Sequence, residues 1–128
     1  MLHVLLVEDN PGDVLMIREA IRTSNVSADV IVAYDGEEAL RVLNDYNFEP
    51  HIIFLDLNVP KFNGSEILER SSLTEKSPVV VFTSSTNPAD NKRAFDLGVR
   101  DYIVKPSDLT EYLRTVRAAL ERWTDGRV

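Results

Sequence analysis

Apolar residues follow two rhythms along this chain: short, nearly unbroken runs, and longer stretches in which they return every three or four positions. The runs His3 to Val7, Ala28 to Ala33, Ile52 to Leu55, Val79 to Phe82 and Tyr102 to Val104 have strand length and predict five strands. Between them, Val14, Ile17 and Ile21 recur at helical spacing, as do Ala39, Leu40 and Leu43. A shorter segment, Gly64 to Ser72, carries only Ile67 and Leu68 as its apolar pair, and its end is poorly marked because Ser71 to Ser77 is polar and compact. In the last segment Leu109, Leu113, Val116 and Leu120 form one stripe, with Trp123 at the same phase.

The junctions carry matching chemistry. Asn10-Pro11 and Asn87-Pro88 each read as an N-cap followed by proline in the first helical position. Asp35-Gly36-Glu37-Glu38 is a D-x-x-E capping arrangement, Gly98 closes the fourth helix, and Ser107 is able to cap the fifth. Five strands alternating with five helices predict an α/β domain whose parallel sheet is covered on both faces, since parallel strands need crossover connections. Ligands of such sheets bind beyond the carboxyl ends of the strands.

Composition narrows the classes. The length of 128 residues fits one domain with one sheet, and 44% hydrophobic with 27% charged residues is ordinary for a globule. The 21 acidic residues against 14 basic ones give a net charge of −7 with no Lys/Arg cluster, so nucleic-acid binding is not expected. The absence of cysteine removes disulfide, thiolate-metal and Cys-nucleophile chemistry and agrees with a cytoplasmic protein. The apolar start MLHVLLV meets Glu8 and Asp9 too soon for a signal peptide or a membrane span.

The expected carboxyl ends gather chemistry. Strand one runs into Glu8-Asp9, strand three into Asp56, strand four into Thr83-Ser84 and strand five into Lys105. Carboxylates so close repel by about 4 kcal/mol per pair at about 4 Å and an effective dielectric near 20, so a cation must offset them. Mg²⁺ is the natural candidate: it takes one or two carboxylates and completes its shell with water and phosphate oxygens. A carboxylate cluster, Mg²⁺, a lysine and a hydroxyl suit a transferring phosphoryl group, with Asp56 as the nucleophile.

Four motifs in order, LLVEDN, IIFLDLNVPKFNG, VVVFTSS and GVRDYIVKP, resemble the receiver domain of two-component response regulators over essentially the whole chain. The resemblance implies a flavodoxin-like, doubly wound five-stranded parallel sheet in the order 2-1-3-4-5 with five helices. It implies that Asp56 accepts a phosphoryl group from the phosphohistidine of a sensor histidine kinase or a histidine phosphotransfer protein. Asp9, Asp56 and the backbone carbonyl of Asn58 would bind Mg²⁺, with Glu8 acting mostly through water. Lys105 would pair with the acyl phosphate, Thr83 would turn its hydroxyl to a phosphate oxygen, and Tyr102 would change rotamer with it. The Lys105–Pro106 bond is expected to be cis. Asn58 and Ser85 stand where the family tunes the phosphoryl lifetime.

The same resemblance places the output surface on the fourth helix, fifth strand and fifth helix, where Phe95 and Tyr112 are expected to sit. The sequence ends one helix beyond Lys105, so residues 1–128 are expected to be a stand-alone receiver without an output domain. VEDNPGD resembles single-domain receivers that work with phytochrome-type kinases, some of which dimerise, so a homodimer is among the expected partners. Departures from the commoner pattern are Glu8 in place of Asp and Ser107 in place of an apolar residue. Two other readings are a haloacid-dehalogenase-like phosphatase, disfavoured because Asn58 stands where that chemistry uses a second aspartate, and an unphosphorylated receiver-like scaffold. A flavodoxin-like cofactor binder lacks a phosphate loop after strand one. Asp13 reads as favourable charge in a helix's first turn, His3 and His51 as structural, and Tyr112 and Trp123 as either packing residues or partner contacts.

Overall fold

The computed structural model describes residues 1–44, 48–61, 63–70 and 73–124. Its strands are β1 (Leu2–Val7), β2 (Ala28–Ala33), β3 (Ile52–Leu55), β4 (Val79–Thr83) and β5 (Asp101–Val104). All pair in parallel in the order β2-β1-β3-β4-β5, as the resemblance implied. The helices are α1 (Pro11–Arg22), α2 (Gly36–Asn44), α3 (Gly64–Arg70), α4 (Leu73–Lys76), α5 (Pro88–Asp96) and α6 (Leu109–Trp123).

Alternation along the strands splits the core in two. Leu2, Val4, Leu6, Ile52, Phe54, Val80 and Phe82 face α1 and α6, meeting Val14, Ile17, Ile21, Val116 and Leu120. Leu5, Val7, Ile53, Leu55, Val79 and Val81 face α2, α3 and α5, meeting Ala39, Val42, Ile67, Leu68 and Ala94. Each central strand is therefore apolar on both sides, which is why it reads as an unbroken run and not as an alternation.

Caps fix where the helices begin. Asn10 is extended and accepts the Asp13 N–H at 3.0 Å, Asn87 accepts the Ala89 N–H at 3.0 Å, and Asp35 accepts the Glu38 N–H at 2.7 Å. At the end of α5, Gly98 takes φ +99°, with its N–H on Phe95 O and the Val99 N–H on Ala94 O. This is the Schellman closure that the glycine predicted.

Two expectations about helices are corrected. Beyond the expected third helix the chain forms the four-residue α4, so six helices and not five stand among the described residues. The expected end at Ser72 lies outside the described residues. The single turn of α4 is held by polar anchors and has no apolar period to announce it: Thr74 Oγ1 donates to Leu97 O at 3.3 Å. Ser77 Oγ then donates to Pro50 O at 2.6 Å just ahead of β4. The last helix is capped by Asp108 and not Ser107, because Asp108 immediately precedes Leu109 and its carboxylate accepts the Glu111 N–H at 2.9 Å.

His3 and His51 pack against each other. The His3 N–H donates to His51 Nδ1 at 2.8 Å and the rings stack at the amino end of the sheet. Trp123 packs against the α1/α6 core beneath the Arg122 guanidinium, 4.9 Å from the ring centroid.

Candidate functional site

The ladder runs one residue beyond three strands, and those three residues are functional candidates. The Glu8 N–H donates to Ala33 O at 3.0 Å, the Asp56 N–H to Val7 O at 3.0 Å, and the Lys105 N–H to Thr83 O at 2.7 Å. Rigid backbone hydrogen bonding thus delivers two carboxylates, a hydroxyl and an ammonium to one edge of the sheet. Beyond Asp56 the chain turns sharply, and the Gly64 N–H returns to Leu57 O at 3.0 Å. A Cβ at Gly64 would lie 2.7 Å from Leu57 Cα and 3.1 Å from Asp56 O, so only glycine lets α3 start this close to the acceptor strand.

Both oxygens of Asp56 are engaged. Oδ1 accepts the Thr83 hydroxyl at 3.0 Å and the Asn58 N–H at 3.1 Å, and Oδ2 accepts Lys105 Nζ at 2.9 Å. Thr83 is fully buried, while Asp56 retains 7% exposure. Glu8 is also buried; its Oε1 accepts the Asn10 N–H at 3.2 Å and its Oε2 accepts Lys105 Nζ at 3.0 Å. Asp9 is exposed. Ligand oxygens of Glu8, Asp9 and Asp56 lie within 4.8 Å of one another, the one such metal-competent cluster among the described residues. An all-oxygen set of three carboxylates suits a hard divalent cation and would not select a soft one.

Burial raises the pKa of Glu8, and its hydrogen bond and repulsion with Asp56 add to this; Lys105 opposes, and the group is pushed up to about 8. Burial works on Asp56 in the same sense, but hydrogen bonds with Glu8, the Asn58 N–H and Lys105 outweigh it and hold Asp56 below the usual carboxylate range. Burial and mutual repulsion thus push the two carboxylates apart, Glu8 toward its neutral form and Asp56 toward its ionised form. Burial lowers the Lys105 pKa, yet hydrogen bonds to Asp56 and Asp13 and the surrounding negative charge raise it overall, so the ammonium is permanent.

Tyr102 is half-buried on β5, and its hydroxyl donates to Ser85 O at 3.1 Å. The Ser85 N–H reaches Thr83 Oγ1 at 3.3 Å, so Ser85 bonds to both Tyr102 and Thr83. Ser85 Oγ donates to Asp90 of α5 at 2.6 Å, which ties the same residue to a helix.

Three sequence readings change here. The Lys105–Pro106 bond is trans, there being no cis peptide bond among the described residues. The trans form is preferred intrinsically by about 0.5–1 kcal/mol, and with it Lys105 still reaches its carboxylates, so no isomer is needed to aim it. Tyr112 does not sit on the exposed surface expected of it: it is buried, its ring packs edge-on against Phe82 at 5.0 Å, and its hydroxyl donates to Asp13 at 2.6 Å. Asp13 does occupy the first turn of α1 and stays outside the carboxylate cluster, yet its Oδ2 accepts Lys105 Nζ at 3.0 Å. The sequence offered no signal for that bond, because the partners are 92 positions apart.

Residues 4–117 match the response regulator receiver domain. The chain is 31% identical to response regulator Rcp1 of Synechocystis, covering 95% of this chain and 88% of that protein. It is also 31% identical to response regulator ArlR of Staphylococcus aureus, of which it spans 54%, about half the length. Among solved structures it is similar to the Mn²⁺-bound form of Rcp1, with a TM-score of 0.88 at 31% identity, covering 100% of this chain and 98% of that one. It is equally similar to the phosphorylated cyanobacterial phytochrome response regulator RcpA, with a TM-score of 0.88 at 34% identity, covering 98% and 96%. No helix among the described residues is long and apolar enough to cross a membrane.

Proposed function

The chain belongs to the response regulator receiver family, and from that premise we propose that Asp56 is its phosphoacceptor. The observation that carries this is the dressing of Asp56: ionised and nearly buried at a strand end, with a lysine on one oxygen and a threonine hydroxyl on the other. In the reaction, an Asp56 carboxylate oxygen attacks phosphorus. The O–P bond forms as the N–P bond of a phosphohistidine breaks, its electron pair staying on the departing imidazole nitrogen, which takes a proton from solvent. The donor is a sensor histidine kinase or a histidine phosphotransfer protein.

Glu8, Asp9, Asp56 and the Asn58 carbonyl would hold Mg²⁺, which when bound supplies positive charge against the phosphoryl oxygens. Lys105 contributes a fixed charge beside Asp56, and Thr83 donates its hydroxyl to a phosphoryl oxygen once one is present. Drawing the Thr83 hydroxyl toward that oxygen weakens its bond with the Ser85 N–H, which releases the Ser85 carbonyl from Tyr102. Tyr102 and Thr83 are therefore the switch pair.

The face that responds is formed by α5, β5 and α6, on which Phe95, Val104 and Leu109 are exposed by 46%, 42% and 57%. It receives a downstream protein or a second copy of the chain. In this reading residues 1–128 act as one receiver unit in the cytoplasm, and the protein is a signalling phosphoacceptor without steady turnover of a substrate. Asn58 in place of a second acid-base carboxylate argues against the phosphatase.

The test is incubation with Mg²⁺ and acetyl phosphate followed by intact-mass measurement. One hydroxylamine-labile phosphoryl group, missing in Asp56→Asn, is the expected result. An unmodified wild type would sink the acceptor assignment, and sustained hydrolysis of a phosphomonoester would favour the phosphatase.

A further inference from the structure

The Lys105 ammonium has three hydrogens, and each has its own carboxylate: Glu8 at 3.0 Å, Asp13 at 3.0 Å and Asp56 at 2.9 Å. Glu8 and Asp56 belong to the cluster competent to hold a cation, and Asp56 is also the proposed acceptor. Asp13 lies outside that cluster and has no competing engagement there. When a cation and a phosphoryl group claim the other two carboxylates, Asp13 is the partner that Lys105 keeps.

Asp13 is itself held from both sides. Its backbone N–H is bound by the Asn10 cap at 3.0 Å, and its second carboxylate oxygen accepts the Tyr112 hydroxyl at 2.6 Å. Tyr112 is immobilised by burial and by the edge-on contact of its ring with Phe82. The resulting line, Tyr112 to Asp13 to Lys105 to Asp56, joins α6, α1 and the ends of β5 and β3. A solvated lysine would search many rotamers before meeting the phosphoryl group; this one is already aimed.

We propose that Asp13 and Tyr112 are positioning residues that hold the Lys105 ammonium beside Asp56 Oδ2 throughout phosphoryl transfer, and that through Tyr112 this hold is tied to the seat of α6. The proposal rests on the reading of Asp56 as acceptor. It predicts that loosening the hold lowers the maximal rate of transfer without changing how the donor binds.

The experiment compares wild type, Tyr112→Phe and Asp13→Asn as full chains, each checked for folding by urea denaturation. Tyr112→Phe keeps the ring packing and removes only the hydroxyl, so it remains informative if Asp13→Asn fails to fold. Two quantities are read. The first is the nitrogen-15 resonance of the Lys105 ammonium, assigned by its loss in Lys105→Arg. It is expected to be sharp in wild type, broadened in Tyr112→Phe and lost to exchange in Asp13→Asn. The second is phosphorylation by acetyl phosphate with saturating Mg²⁺. The maximal rate is expected to fall about tenfold in Asp13→Asn and about threefold in Tyr112→Phe, with half-saturating donor concentration within about twofold of wild type.

An unchanged ammonium resonance together with wild-type maximal rates in both variants would overturn the proposal, as would a fall expressed only in half-saturating concentration. If the wild type accepts no phosphoryl group, the acceptor reading fails separately. The ammonium resonance then decides the hold alone, broadening supporting it and invariance refuting it.

Discussion

Replacing Lys105 with methionine keeps most of the side-chain volume and removes the one ammonium that faces three carboxylates. At the observed 2.9 to 3.0 Å, the attraction to Asp13 and to Asp56 is worth about 5.5 kcal/mol each at an effective dielectric near 20, and Glu8 adds a third as it loses its proton. Those gains are largely offset by the desolvation of four side chains that are between 2% and 16% exposed, and by repulsion among the carboxylates. What the variant loses is therefore not the sum of three attractions but the cost of leaving buried charge uncompensated, about 3–5 kcal/mol. That cost depends on pH. Without Lys105, Glu8 keeps its proton to a higher pH than the wild-type value of about 8, so the variant's native state binds more protons in that region. The stability difference must then widen as pH rises from about 6 to about 9. Urea denaturation of both proteins without metal, at those two pH values, measures it. A loss below about 1 kcal/mol, or one that does not change with pH, would show that the ammonium is not the counter-ion of this cluster.

Three further outcomes follow from the same geometry. Gly64→Ala places a methyl group 2.7 Å from Leu57 Cα, so the turn must move; a loss of about 1–3 kcal/mol in urea denaturation and slower phosphorylation of Asp56 are expected. Gly98→Ala forces a side chain into φ +99° beside Thr74 and should lose about 1–2 kcal/mol by the same measurement while leaving the phosphorylation rate unchanged. Glu8 has a folded pKa raised above its unfolded value, so the native state holds a proton that the unfolded chain releases. Its stabilising contribution is complete below the unfolded pKa and disappears as pH rises to about 8. The metal-free protein should therefore lose stability across that window, and Glu8→Gln should flatten the slope.

Strand and helix types were legible wherever burial leaves a mark on composition. The run Ile52 to Leu55 is apolar throughout because β3 is covered on both faces, and Asn10-Pro11 announces α1 because an orphan N–H must find an acceptor. The positions at strand ends were legible for the same reason: a polar residue directly after an apolar run lies at the edge of a parallel sheet. Glu8, Asp56, Thr83 and Lys105 are brought together there. The turn of α4 was not legible, because polar anchors at Thr74 and Ser77 replace an apolar period. Nor could sequence tell whether Tyr112 packs inward or outward, since an amphipathic tyrosine suits either face.

The sequence by itself determined the layered α/β architecture, the strand ends that carry chemistry and the family to which their spacing belongs. These follow from periodicity and capping, which act over a few residues. Only the tertiary structure decided that Lys105 spends its three hydrogens on Glu8, Asp13 and Asp56, and that Tyr112 closes the line from α6. Those bonds join groups up to 99 positions apart. The low-dielectric setting that strengthens them exists only once the two faces of the sheet are covered.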